Sequence, residues 1–118
     1  MTTRRRLAAW MSAGLVAALF SAPAHTGTPA VLDPANILAA RTAAQHEAIA
    51  KAYDEEAGTF ERRAASHGIL ARDLSGVMKG SSSMSVHCKQ IAQSLQSAAK
   101  SSRELAAEHR KMAQEAGG

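Results

Sequence analysis

The chain has 118 residues, an aromatic content of 3%, one cysteine and a formal net charge of +4. The first 24 residues hold three of the fourteen basic side chains, so the remainder sets eleven Lys+Arg against ten Asp+Glu, a balance of +1. Near-neutrality without a basic stripe interleaved with aromatics argues against nucleic acid, and alternating charges along the chain argue against a membrane-surface helix.

Arg4, Arg5 and Arg6 form a basic head, Leu7 to Phe20 an apolar run, and Ser21-Ala22-Pro23-Ala24 a small-residue cleavage site. This order predicts a signal peptide over residues 1–24, removed near Ala24, and places the mature chain in the periplasm or outside the cell. A run of about fourteen residues is short for the ~30 Å hydrocarbon core; a membrane role follows only if the leader is retained. The head fits general secretory export, while Thr3-Arg4-Arg5-Arg6-Leu7 also approximates a twin-arginine signal. Export would put Cys88 in an oxidising compartment without an intramolecular partner, as a buried thiol, a metal ligand or half of an intermolecular disulfide.

Residues 25–33 read as a flexible lead-in containing Gly27 and Pro29. Asp33-Pro34 then starts a helix: the carboxylate accepts orphan N–H groups, and proline sits where a missing donor costs nothing. Alanine and charged residues without proline carry that helix to residue 67, with Gly58 a weak spot rather than a break. Gly68, Gly76, Gly80 and Ser81-Ser82-Ser83 punctuate a connection over residues 68–83, with room for a short helical turn from Ile69 to Met78. A second helix spans residues 84–116, and any of the three serines is placed to cap it. Residues 34–116 therefore predict an all-α, antiparallel two-helix hairpin of coiled-coil type.

On the second helix Met84, Cys88, Ile91, Leu95, Ala98, Ser102, Leu105, His109 and Met112 alternate steps of four and three, the spacing of a coiled-coil seam. The first helix offers Thr42, His46, Ile49, Tyr53, Ala57, Phe60, Ala64 and His67. One antiparallel register pairs all but Met84: His67 with Cys88, Ala64 with Ile91, Phe60 with Leu95, Ala57 with Ala98, Tyr53 with Ser102, Ile49 with Leu105, His46 with His109, and Thr42 with Met112. Such a seam is poor for a lone hairpin, and two hairpins docked as a four-helix bundle would bury its flanks. Ile37, Ile69, Leu70, Leu74 and Val77 are the candidate contacts, and the partners expected are a second copy or another envelope protein.

His25 lies at the expected mature terminus; the other four of the five histidines fall in two layers, His46 with His109, and His67 with His87 and Cys88. Imidazoles suit Zn, Cu and Ni, and a thiolate shifts preference toward Cu(I) or Zn. His46, His109, His67, His87 and Cys88 are thus the candidate metal ligands, with Glu47 and Glu108 beside the outer pair. Each layer offers two or three ligands where a closed zinc site takes four, and Ala50 stands where the zincin helix has its second histidine. Histidines that hydrogen-bond within the seam are the alternative, and a buried His46–His109 pair resists double protonation.

No catalytic set is complete. Ser81 to Ser85 lack a placed orienting acid beside His87, and His87 and Cys88 point about 100° apart as helix neighbours. The chain reads as a non-enzyme that acts by binding or self-association, or alternatively as a periplasmic Cu- or Zn-binding protein. Through His46 and Tyr53, Met84-Ser85-Val86-His87-Cys88, and Leu105-Ala106-Ala107-Glu108-His109-Arg110-Lys111-Met112-Ala113, residues 46–113 resemble a scattered group of small exported Ala-rich helical bacterial proteins. That group has no assigned activity, cofactor or partner, so the resemblance implies export and the hairpin and transfers no site residue.

Overall fold

A computed structural model describes residues 27–77 and 82–118. The expected signal peptide, residues 1–24, lies outside the described residues, as do His25 and residues 78–81 of the expected connection. Among the described residues the regular structure is all helical: a 3₁₀ turn at Ala30–Leu32, α1 at Pro34–Ala39, α2 at Ala43–Val77 and α3 at Ser83–Gly117. The last two have 35 residues each, about 52 Å at 1.5 Å per residue. They run antiparallel, with Ser85 against Ala71 near the connection and Gly117 beside Ala43 at the open end. The molecule is an all-α helical hairpin.

Asp33 caps as its position requires, accepting from the Ala35 amide at 2.9 Å with Pro34 in the first turn. The helix it starts is not continuous to residue 67, however. It stops at Ala39, Ala40 turns extended (ψ 130°), and α2 begins afresh at Ala43. A reciprocal cap makes this break. Thr42 Oγ1 accepts from the Gln45 amide at 3.2 Å, and Gln45 Oε1 accepts from the amides of Arg41 at 2.7 Å and Thr42 at 3.1 Å.

At the other end α2 runs ten residues past His67, through Gly68 and Gly76, to Val77. Each glycine costs about 1 kcal/mol against alanine. Packing of the half-buried Ala71 and Leu74 offsets that cost, and the connection shrinks from the expected 68–83 to the few residues before Ser83. Ser82 is the serine that caps α3, accepting from the Ser85 amide at 3.1 Å.

The seam between α2 and α3 differs from the expected one by a shift at alternate positions. Buried on α3 are Ser85, Cys88, Ala92, Ala99, Ser102, Ala106, His109 and Ala113, with Leu95 half-buried among them. Cys88, Leu95, Ser102 and His109 are as expected. Met84, Ile91, Ala98, Leu105 and Met112 give way to the residue that follows each. On α2 the buried Ala50, Ala57 and Ala64 alternate with the half-buried His46, Tyr53, Phe60 and His67.

Both helices thus carry a small residue every seven: Ala43, Ala50, Ala57, Ala64 and Ala71 on α2, and Ser85, Ala92, Ala99, Ala106 and Ala113 on α3. The cause is volume. The half-buried rings of His46, Tyr53, Phe60 and His67 on α2 need room, and alanines provide it while letting the backbones approach closely.

Leu105 and Met112, the expected partners of Ile49 and Thr42, are therefore exposed beside the seam rather than buried in it. Thr42 is an exposed cap, and Ile49 is 2% exposed beneath an N-terminal arm. That arm, the 3₁₀ turn plus α1, packs Leu32 and Ala40 with Ile49 and Ala52, flanked by Val31, Ile37 and Tyr53. The lead-in is consequently ordered from its apolar pair onward, because Val31 and Leu32 have a surface to bury against. Asn36 Nδ2 donates to the Ala30 carbonyl at 2.7 Å, tying the turn to α1. No helix among the described residues is long and apolar enough to cross a membrane.

Candidate functional site

Three features of the hairpin carry chemistry: a histidine layer at the open end, a charged flank and an apolar flank. In the first, His46 and His109 meet as expected, Nδ1 to Nδ1 at 3.1 Å. Their ring centroids are 5.3 Å apart, and Tyr53 stacks on His109 at 5.9 Å with its plane tilted by 28°. A short nitrogen–nitrogen contact needs one ring to donate and the other to accept, so the pair is satisfied while at least one ring is neutral. Burial, and then the neighbouring charge of His46, hold the His109 pKa below its ordinary 6.5.

Tyr53 and Ser102, paired in the expected register, do not hydrogen-bond each other. Ser102 Oγ donates to Glu56 Oε2 at 3.0 Å, while the Tyr53 ring is taken up by His109.

The second expected layer does not assemble in the same way. Cys88 is buried in the seam as a free thiol, His67 is half-buried, and His87 is exposed on the outer side of α3. His67 Nδ1 is shielded and has no hydrogen-bond partner among the described residues. No group of three or more His, Cys, Asp or Glu side chains converges there or elsewhere among the described residues. Glu47 and Glu108 are both exposed beside the outer pair. Of the five named residues, His46 and His109 are the two whose side chains are in hydrogen-bond contact among the described residues.

The charged flank lies on one side of the seam. Arg103 bonds Glu61 through Nε and Nη2, each at 2.9 Å, and reaches Asp54 at 3.7 Å. Arg110 donates to the other Asp54 oxygen, and its guanidinium is held above its ordinary pKa first by that hydrogen bond and then by the Asp54 charge. Acids on α2 at 54 and 61 thus answer bases on α3 at 103 and 110, one heptad apart on each helix. Sequence reasoning missed this pairing, although the seven-residue spacing of opposite charges was there to find.

The opposite flank is apolar. On α3 it is the displaced row, Met84, Ile91, Leu105 and Met112, which are 60, 42, 43 and 40% exposed, with Ala98 half-buried at its centre. Leu70 and Val77 of α2 lie on the same side and are also exposed. The arm covers α2's other share of this flank, over Ile49 and Ala52. Of the five residues expected to mediate association, Ile37 is absorbed by the arm and Leu74 is half-buried, while Ile69, Leu70 and Val77 stay exposed.

At the closed end Ser75 Oγ, Ser85 Oγ and the Ala71 carbonyl form a triangle with sides of 2.6, 2.8 and 2.8 Å. The buried Ser85 hydroxyl is served by it, so Ser75 and Ser85 form a structural clasp. No protein-family model, no curated protein and no solved structure matches this chain.

Proposed function

We propose that the chain is an exported helical hairpin of the bacterial envelope that acts by association, with itself or with another envelope protein, and not by catalysis. The observation that carries this reading is the seven-residue row of Met84, Ile91, Ala98, Leu105 and Met112 along α3, open to solvent at all but the half-buried Ala98. A contiguous apolar strip of that length marks an interaction surface in a soluble molecule. The arginine head, apolar run and Ser21-Ala22-Pro23-Ala24 support export. Analytical ultracentrifugation of the purified protein tests the association: a concentration-dependent dimer or larger species is expected. A strict monomer at millimolar concentration, together with no partner retained from an envelope extract, would overturn it.

The runner-up is a periplasmic Cu- or Zn-binding protein, and the specific observation favouring it is the 3.1 Å His46–His109 contact. Two preorganised imidazole nitrogens suit Cu(I), or half of a tetrahedral site completed by further ligands. Calorimetric titration with Cu(I), Cu(II), Zn(II) and Ni(II) decides it. Sub-micromolar binding lost in His46→Ala and His109→Ala supports a site at this layer; binding absent, or unchanged in those variants, removes it.

A further inference from the structure

We infer that two copies of this hairpin pair α3 against α3 in antiparallel fashion, about a two-fold axis through Ala98. The inference rests on the association reading above and specifies its surface, partner and register. The open row reads Met84, Ile91, Ala98, Leu105, Met112, and by size it is the same in both directions. Turning one copy about Ala98 sets Met84 opposite Met112 of the second copy, Ile91 opposite Leu105, and Ala98 opposite itself. An isologous interface needs this self-complementarity, and a surface evolved for an unlike partner has no reason to carry it.

The polar border of the row obeys the same symmetry. His87, Ser94, Ser101 and Glu108 run along its outer edge. The rotation brings His87 to Glu108 of the other copy, a charge-compatible pair at each end, and Ser94 to Ser101. Along this outer edge no like charges fall opposite one another. The small residues at the centre, Ser94, Ala98 and Ser101, let the two helices approach most closely where they cross, and a shallow groove lined by His87, Ile91, Ser94, Leu95 and Ala98 already lies along this face. The arm adds a reason for α3 rather than α2 to be the contact. It already occupies α2's half of the flank over Ile49, so the uninterrupted apolar length belongs to α3.

The register predicts a charge-pair rescue. Ile91→Lys and Leu105→Glu each place a charge against an apolar residue of the other copy, and each should weaken dimerisation about 100-fold by sedimentation. Both residues are over 40% exposed in the hairpin, so circular dichroism should show unchanged helicity. The double variant I91K/L105E sets the new ammonium at position 91 against the new carboxylate at position 105 of the second copy, twice over by symmetry, and should recover most of the lost affinity. Failure of the double variant to recover overturns the antiparallel register. A dimer that persists in both single variants but dissociates in Leu70→Glu or Val77→Glu overturns the α3 contact and leaves self-association standing. A wild-type protein that remains monomeric overturns both.

Discussion

The two flanks of one seam are built on opposite principles. On the charged side the acids that face α3 meet bases of the same chain: Asp54 meets Arg110 and Arg103, and Glu61 meets Arg103. On the apolar side the same two helices present methionine, isoleucine and leucine that stay open along α3; on α2 the arm covers Ile49 and Ala52, while Leu70 and Val77 stay open. Ion pairs fix which helix faces which at small energetic cost to replace; buried hydrocarbon sets how much the assembly is stabilised. The hairpin thus settles its own pairing on one side and leaves its adhesive surface on the other.

Substitutions can test that division, beginning with the covered half of the apolar flank. Ile49→Ala removes the one large side chain that is almost fully buried among the described residues, and a loss of about 3 kcal/mol in urea unfolding is expected. The arm should become protease-sensitive at the same time. A loss under about 1 kcal/mol would mean that the arm contributes little.

Next comes the seam that both flanks share. Ala57→Leu inserts a branched side chain at a site of 0% exposure and should cost about 2 kcal/mol by forcing the helices apart. Ala98→Leu, one residue before the buried Ala99, should leave thermal stability of the dilute protein nearly unchanged. Equal effects would erase the distinction between seam and flank.

Acid should act at the open end. The folded pKa of His109 lies below its unfolded value of 6.5, so the unfolded chain binds more protons through that range. The contribution is therefore fully present above about pH 6.5 and is lost as pH falls through the depressed folded value. A lower melting temperature at pH 5.5 than at 7.5 is expected by circular dichroism, with the difference reduced in His109→Asn. Coincident melting points would count against the histidine pair as the acid-sensitive element.

The smallest effect belongs to the charged flank. Asp54→Asn should cost under about 1 kcal/mol, and the cost should shrink toward zero in 1 M salt, because these side chains are partly exposed and screened. The Ile49 effect should not shrink.

Much of this architecture is legible in the residues. Asp33-Pro34, the serine cap before α3, the proline-free Ala-rich runs and the meeting of His46 with His109 all follow from spacing and capping chemistry. The break at Ala40 is encoded by Thr42-Ala43-Ala44-Gln45, a reciprocal cap concealed inside an otherwise continuous helical composition. The seam frame was ambiguous for a physical reason. On α3 a row of large apolar residues adjoins a row of small ones, and both share Cys88, Leu95, Ser102 and His109. Hydrophobicity alone favours Ile91 and Leu105, whereas the seam buries Ala92, Ala99 and Ala106 opposite a helix that contributes the half-buried rings of Tyr53 and Phe60. The choice depends on volumes contributed by the other helix, which no single-helix pattern contains. Gly68 and Gly76 misled for a similar reason, since tertiary packing outweighs their local cost.

Cys88 sits buried in the seam with its thiol free. A thiol held between two helices reacts with an alkylating reagent only when they separate. The molecule therefore carries a built-in clock for its own breathing: the labelling rate of one sulfur atom, with no probe attached, times how often the clip springs apart.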